Sequence, residues 1–469
     1  MQKNLLIITF DQARGDWFDP DNNFIDLTAM KLLASKGYYF ERCYTRSPQC
    51  IPSRLSWLTG KMPSQLGVTK NMACNAKGTI PSIFRKLQKS GWYLKIVGKT
   101  HWTAHQKGID LRENIALMKA LGFNDVKEVG GPRALQSIQC ELTDLWQEAN
   151  YQNQYIKDMK ERYSRGRTVN TWTPKPTCLP NHLYPDIWIA NEAIKAIEEL
   201  PQTQPWVLWV SFVGPHEPFD TPQDWRGMAQ TNKIPDRINN TQWIETLDES
   251  IELKKNLTKW KKKFTDTQCN AFREDYANNL KLLDDQVIRI INSGINHKTT
   301  DIMITSDHGE MLGDYNMLYK STFLEPAIRV PMILANLEND SQTGQRLKAV
   351  TDTTTVLKYV IKEKVKKIED DFCEIDWINK LSQKDRTIIE YAGERCFVKG
   401  QKKLVTNLSG KILWKTHIQP GGIKEEPIEE NKPAGSSDLE WQTMENWAKQ
   451  SNEKLNKRKN QYAEHIEFL

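Results

Sequence analysis

Trp206-Val207-Leu208-Trp209-Val210-Ser211-Phe212-Val213 is a nearly unbroken apolar run that stops abruptly at Gly214-Pro215-His216-Glu217-Pro218. A run of this length suits a strand, and one so apolar has no face to give to water. It belongs in a mostly parallel sheet covered by helices on both sides. Three other runs repeat the design: Leu5-Leu6-Ile7-Ile8-Thr9-Phe10 before Asp11-Gln12, Tyr93-Leu94-Lys95-Ile96-Val97 before Gly98-Lys99-Thr100-His101, and Asp301-Ile302-Met303-Ile304-Thr305 before Ser306-Asp307-His308-Gly309. Between them, residues 191–200 and 276–291 carry apolar side chains at helical spacing, which predicts an α/β fold.

In such sheets ligands bind beyond the carboxyl ends of the strands. Here those ends supply Asp11, Gln12, Lys99, His101, His216, Asp307 and His308. An Asp or His after one strand often does no more than cap the next helix. Four strand ends carrying such residues together make a common floor for chemistry.

Two segments between the strands, 130–185 and 221–269, read as polar insertions that form the rim of a substrate pocket, although any single residue in them is first expected on a solvated surface. Lys254, Lys255, Lys259, Lys261, Lys262 and Lys263 interleave with aromatics, but this basic run is confined to one segment and is read as a solvated helix face. A charged, helical stretch runs to residue 384. Short strands then follow at 388–391, 396–398 and 403–405, separated by Gly393 and Gly400-Gln401. The expected organisation is therefore a catalytic α/β domain over 1–384 and a small antiparallel α+β subdomain with a helical tail over 385–469, with residues 419–437 as a loop. The tail is expected to pack on the core or on a second subunit, so a homo-oligomer is compatible with the sequence.

At 469 residues the chain can bury a large core, and 39% hydrophobic with 26% charged residues is the balance of a globular protein. A net charge of +6 suits an anionic substrate but lacks the concentrated basic face that nucleic acid requires. The eight cysteines form no C-x-x-C pair, so neither a zinc site nor a disulfide framework is expected. The apolar run near the N-terminus is too short for a signal peptide or a membrane span, which predicts a cytoplasmic protein with no membrane partner.

One further stretch carries specific chemistry: Cys50-Ile51-Pro52-Ser53-Arg54-Leu55-Ser56-Trp57-Leu58-Thr59-Gly60. Pro52 favours the first turn of a helix, which puts Cys50 at a helix N-terminus where backbone N–H groups favour a developing anion. The whole stretch resembles the signature around the active-site cysteine of the sulfatase family. That resemblance implies that Cys50 is oxidised to formylglycine by a formylglycine-generating enzyme and that the hydrated aldehyde is the nucleophile. It also implies the alkaline-phosphatase-like sheet over most of residues 1–410, with the two insertions and the tail outside it.

Carried onto matching positions, the resemblance implies one divalent metal held by Asp11, Asp307, His308 and oxidised Cys50. A carboxylate-rich set suits calcium, and His308 leaves manganese or magnesium open. Arg54 orients the nucleophile, Lys99 and Lys320 bind the sulfate, His101 supports the hydrate and removes its proton, and His216 assists the leaving group. Asn71, Gln12 and Thr100 complete the substrate contacts. In the implied mechanism the hydrate attacks sulfur in line, the alcohol leaves, and His101 triggers loss of sulfate as the aldehyde reforms. Gln12 departs from the paired Asp of many sulfatases. The Asp-Gln form resembles the branch of choline-sulfatase-like enzymes and phosphonate monoester hydrolases, so a small-molecule or carbohydrate sulfate ester stands beside a phosphonate monoester or phosphodiester as substrate. An unoxidised Cys50 would leave a non-catalytic binding protein.

Overall fold

The computed structural model describes residues 3–163, 174–260, 264–338, 344–366, 375–428 and 436–469. Its strands, in chain order, begin with β1 (Asn4–Asp11), β2 (Gly37–Tyr44), β3 (Cys74–Ala76), β4 (Tyr93–Gly98) and β5 (Asp125–Glu128). They continue with β6 (Trp206–Pro215), β7 (Thr300–Ser306), β8 (Arg329–Val330), β9 (Met332–Ala335) and β10 (Gln345–Asp352). Apart from β3, these form one sheet in the order β10-β2-β9-β7-β1-β6-β4-β5, with β8 also paired to β2. The four apolar runs are its parallel centre, β7-β1-β6-β4. Strand β9 runs against both neighbours, so the sheet is mixed while remaining mostly parallel.

Alternate residues of the central strands feed two cores, as the two-residue period of a strand requires. Ile8, Val210 and Ile304 face a core closed by the helices Pro185–Glu198 and Asp266–Ile291. Ile7, Trp209 and Met303 face one closed by Cys50–Thr59, Ile83–Lys89 and Thr353–Lys366. In register, Leu6 pairs with Leu208 and Ile302, and Asp11 pairs with Pro215. The carboxyl ends of the four strands therefore lie side by side.

The C-terminal part is a five-stranded antiparallel sheet: β11 (Arg386–Tyr391), β12 (Glu394–Lys399), β13 (Lys402–Asn407), β14 (Ile412–Ile418) and β15 (Glu425–Pro427). The helix Ser436–Asn456 covers it, packing Trp441, Met444 and Ala448 on Phe397 and Leu404. Two expectations need correction. The segment 419–437 is not only loop, because β15 lies inside it and supplies the edge of the sheet. The tail is helical only to Asn456, and its last residues form β16 (Ile466–Phe468), which pairs antiparallel with β3 of the same chain. That strand gives β3 a partner outside the main sheet.

Within the insertions, helices Glu141–Glu148, Gln152–Tyr163 and Glu252–Trp260 are formed. The last buries Leu253, Leu257 and Trp260 and exposes Lys255 and Lys259, while Lys254 is half-buried, so the basic run is only in part a solvated face. Lys261, Lys262 and Lys263 lie outside the described residues, as does Cys373. The other seven cysteines are unpaired, and all but half-buried Cys178 are buried. Among the described residues no helix is long and apolar enough to cross a membrane.

Candidate active site

The strand ends deliver their side chains because the backbones there approach unusually closely. Gly98, at φ +110°, lies where a Cβ would stand 2.0 Å from the Ser211 carbonyl oxygen. Only glycine lets β4 meet β6 in this way, and the next residue, Lys99, donates its N–H to Ser211 at 2.9 Å. Its Nζ pairs with Asp11 at the end of β1. After β7, the Asp307 N–H donates to the Phe10 carbonyl at 3.2 Å. Asp307 Oδ1 accepts from the backbone N–H of Gln12 (3.0 Å) and of His308 (2.9 Å).

Cys50 is the first residue of the helix Cys50–Thr59, as Pro52 predicts. One turn on, fully buried Arg54 lies beneath the site. Its Nε donates to Asp307 Oδ2 at 2.8 Å, and its Nη1 donates to the Lys99 carbonyl at 2.7 Å and to Ser211 Oγ at 3.0 Å. A planar fork is needed to reach three acceptors on three elements. Thr45 and Ser53 hydroxyls donate to the Asp307 carbonyl at 2.5 and 2.7 Å. Asn71 accepts from the Ile51 N–H at 3.0 Å and lies 3.9 Å from the Cys50 sulfur.

Four candidate ligand atoms, from Asp11, Cys50, Asp307 and His308, lie within 4.8 Å of one another, and all four residues are buried. His308 Nδ1 is 3.0 Å from the Gly309 carbonyl, which fixes its hydrogen there and leaves Nε2 for the cluster. That nitrogen is 3.2 Å from Cys50 Sγ, 3.7 Å from Asp11 Oδ1 and 3.6 Å from Asp307 Oδ1. An imidazole lone pair facing two carboxylates needs a cation or a proton between them. Burial opposes a proton on His308, but Asp307 raises its pKa. The donor set fits a divalent cation.

Cations surround the nucleophile position. Lys320 Nζ is 3.1 Å from Cys50 Sγ. Burial and Asp11 push the Cys50 thiol up, yet Lys320, His308 and Lys99 outweigh them and bring it down to about 5. The same field would stabilise an oxyanion on an oxidised side chain. Burial pushes Asp11 up, but Lys99, His216, Lys320 and Arg54 hold it well below the usual carboxylate range.

His101 and His216 line the same cavity as Cys50, Asn71, Lys99 and Lys320. The His101 ring stacks on His105 with centroids 4.6 Å apart, and burial, His105 and Lys99 keep it neutral. Gln12 and Thr100, expected as substrate contacts, do not line this cavity. Gln12 is fully buried, and its amide donates to Glu217 (3.1 Å) and Glu310 (2.5 Å). Thr100 gives its hydroxyl to Glu128. The carboxamide at position 12 follows from its neighbours, since a carboxylate there would face two others. Burial raises Glu310 to about 7. Sequence reasoning passed over Glu217 and Glu310, although both sit beside quoted motif residues. Their meeting at Gln12 depends on β1, β6 and β7 standing side by side.

The cavity is about 700 Å³, and both insertions help to wall it, through residues 131–137 and 256–260. The chain belongs to the sulfatase family of sulfuric ester hydrolases, whose family model matches residues 3–359. It is 26% identical over 426 residues to an arylsulfatase of Clostridium perfringens, covering 88% of this chain and 86% of that one. A choline-sulfatase of Rhizobium meliloti is 25% identical over 84% of this chain and 75% of its own length. Among solved structures, the phosphonate monoester hydrolase of Silicibacter pomeroyi superposes with a TM-score of 0.70 at 17% identity, covering 98% of this chain and 96% of that one. This likeness bears on the fold.

Proposed function

We propose that this protein hydrolyses a sulfate ester of a small molecule or carbohydrate, using a formylglycine made from Cys50 by a formylglycine-generating enzyme and one divalent cation. The observation that carries the reading is the convergence of Asp11, Cys50, Asp307 and His308 at a helix N-terminus, with Lys99 on Asp11 and Lys320 on Cys50. Asp11, Asp307, His308 and the oxidised residue 50 would hold the cation, calcium first and manganese or magnesium as alternatives. When bound, the cation draws charge from a sulfuryl oxygen, and the formylglycine supplies a hydrated aldehyde as nucleophile.

The chain's own residues do the rest. Lys99 and Lys320 hold the oxygens of the group in transfer, and the backbone N–H groups at the helix start add to them. Asn71 fixes the near wall. Neutral His101 accepts a proton beside residue 50, and His216 delivers one to the departing alcohol oxygen. A cytoplasmic setting belongs to this reading.

A phosphonate monoester or phosphodiester would use the same residues, and the Asp11-Gln12 pattern keeps that second reading in view. Turnover decides between them. A panel of 4-nitrophenyl sulfate, choline sulfate, sugar sulfates and an aryl phosphonate monoester is expected to show a sulfate as the best substrate. Chelation is expected to remove the activity and calcium to restore it. Faster turnover of the phosphonate than of every sulfate overturns the assignment. Activity that survives complete chelation overturns the metal site.

A further inference from the structure

Two cations line the cavity without a part in the reaction above, Arg133 and Lys259. They come from different insertions, and each insertion comes up against one of the lysines at the nucleophile. Gly131, two residues before Arg133, packs so closely on Lys99 that a Cβ there would stand 3.1 Å from Nζ. The intervening Pro132 carbonyl accepts from the buried Tyr155 hydroxyl at 2.8 Å. Arg133 lies over the Tyr163 ring, 4.7 Å from its centroid, and among the described residues no carboxylate pairs with it. On the other wall, Asn256 Nδ2 donates to the Lys320 carbonyl at 3.2 Å. Lys259 follows one turn later on the helix Glu252–Trp260, its Nζ 5.2 Å from the centroid of the Trp260 ring.

A sulfate ester brings one negative charge, and Lys99 and Lys320 already stand at the position it would occupy. With Arg133 and Lys259 the lining holds four basic side chains of Lys and Arg, and with Lys99 paired to Asp11 three of them face one lining carboxylate, Glu217. A cavity with this excess favours a ligand with more negative charge than one sulfate carries. An alcohol bearing a quaternary ammonium group is disfavoured by the same excess. It would also need a free aromatic face, and the ammonium of Lys259 already lies on Trp260.

We propose that the alcohol half of the substrate carries a second anionic group, a carboxylate or a further sulfate, received between Arg133 and Lys259. The inference rests on the sulfate-ester reading above and names the substrate class of that site. The cavity volume of about 700 Å³ admits a sugar- or aryl-sized alcohol with such a group.

Three sulfonates that cannot be hydrolysed separate the sources of the second charge: benzenesulfonate, 3-sulfobenzoate and benzene-1,3-disulfonate. In calorimetric titration of the full chain, one or both of the doubly charged ligands is expected to bind at least about tenfold tighter than benzenesulfonate, the factor that one charge-assisted hydrogen bond supplies. Which of the two gains more tells carboxylate from sulfate. The double variant Arg133→Gln, Lys259→Gln is expected to lose the advantage, and the single variant Lys259→Glu to reverse it. Equal affinity for all three ligands in the parent chain overturns the proposal, as does an advantage that survives either variant. Hydrolysis of 4-nitrophenyl sulfate by the same preparation tests the underlying reading separately. No turnover, with the advantage of the doubly charged ligands intact, would remove the hydrolase and keep the anion subsite.

Discussion

His216 shows how much of the proposed chemistry rests on one ring nitrogen. Its Nδ1 lies 3.0 Å from the Glu217 carbonyl and 3.1 Å from Glu217 Oε2, so the hydrogen sits on Nδ1 and Nε2 is left for the substrate. Burial, and then Lys320, hold the imidazole well below its usual pKa. In the proposed reaction an entering sulfate would offset Lys320 and let Nε2 take up from solvent the proton that the leaving oxygen needs. Such assistance matters most for a poor leaving group. His216→Ala is therefore expected to lower kcat/KM about 100-fold on an alkyl sulfate and less than about tenfold on 4-nitrophenyl sulfate. Steady-state kinetics on the two esters checks this, and equal losses would contradict a role at the leaving group.

Between strands, the feature that places Lys99 is the contact of Gly98 with Ser211. Ala at position 98 would put a Cβ 2.0 Å from a carbonyl oxygen at a φ of +110°. Gly98→Ala is expected to destabilise the fold by about 3 kcal/mol through overpacking and backbone strain. Chemical denaturation measures the first effect, and a fall in kcat measures the displacement of Lys99. The four central strands were legible because both their faces are buried, which leaves a continuous apolar run. Strand β2 was not, since Glu41 and Arg42 interrupt Gly37–Tyr44 on a half-exposed stretch. Strand β10 begins Gln345-Arg346 at the exposed edge of the sheet, and β15 lies among Pro, Gly and charge. Strand β16 was hidden because pairing with β3, 390 residues away in register at Ile466 and Ala76, leaves no local trace. That the four strand ends and the Cys50 stretch would meet was legible from the apolar runs and from the resemblance of that stretch to the sulfatase signature. The tie of Gln12 to Glu217 and Glu310 was not, since it exists only where three strands meet.

Across the whole molecule, the C-terminal sheet reaches the site through Lys403. Its Nζ lies 2.9 Å from Glu325 and 2.6 Å from Glu425, and it donates to the Phe323 carbonyl at 2.7 Å, three residues from Lys320. All three charged side chains are fully buried. Ile389, Cys396 and Val405 share one apolar core with the helices of the main sheet, so the two sheets are packed together rather than strung on a linker. Lys403→Met would remove the cation that two buried carboxylates share, which is expected to cost about 3 kcal/mol. Thermal denaturation should show the loss, with a fall in kcat as the segment carrying Lys320 loosens. An unchanged melting temperature would contradict the clamp.

The central claim, that residue 50 works as an aldehyde, is tested most directly by mass spectrometry of the tryptic peptide of residues 47–54 from active protein made in its native host. The account predicts a peptide in which formylglycine replaces cysteine, at a level that tracks specific activity among preparations. A plain thiol at residue 50 in protein that still hydrolyses sulfate esters at full rate would contradict it.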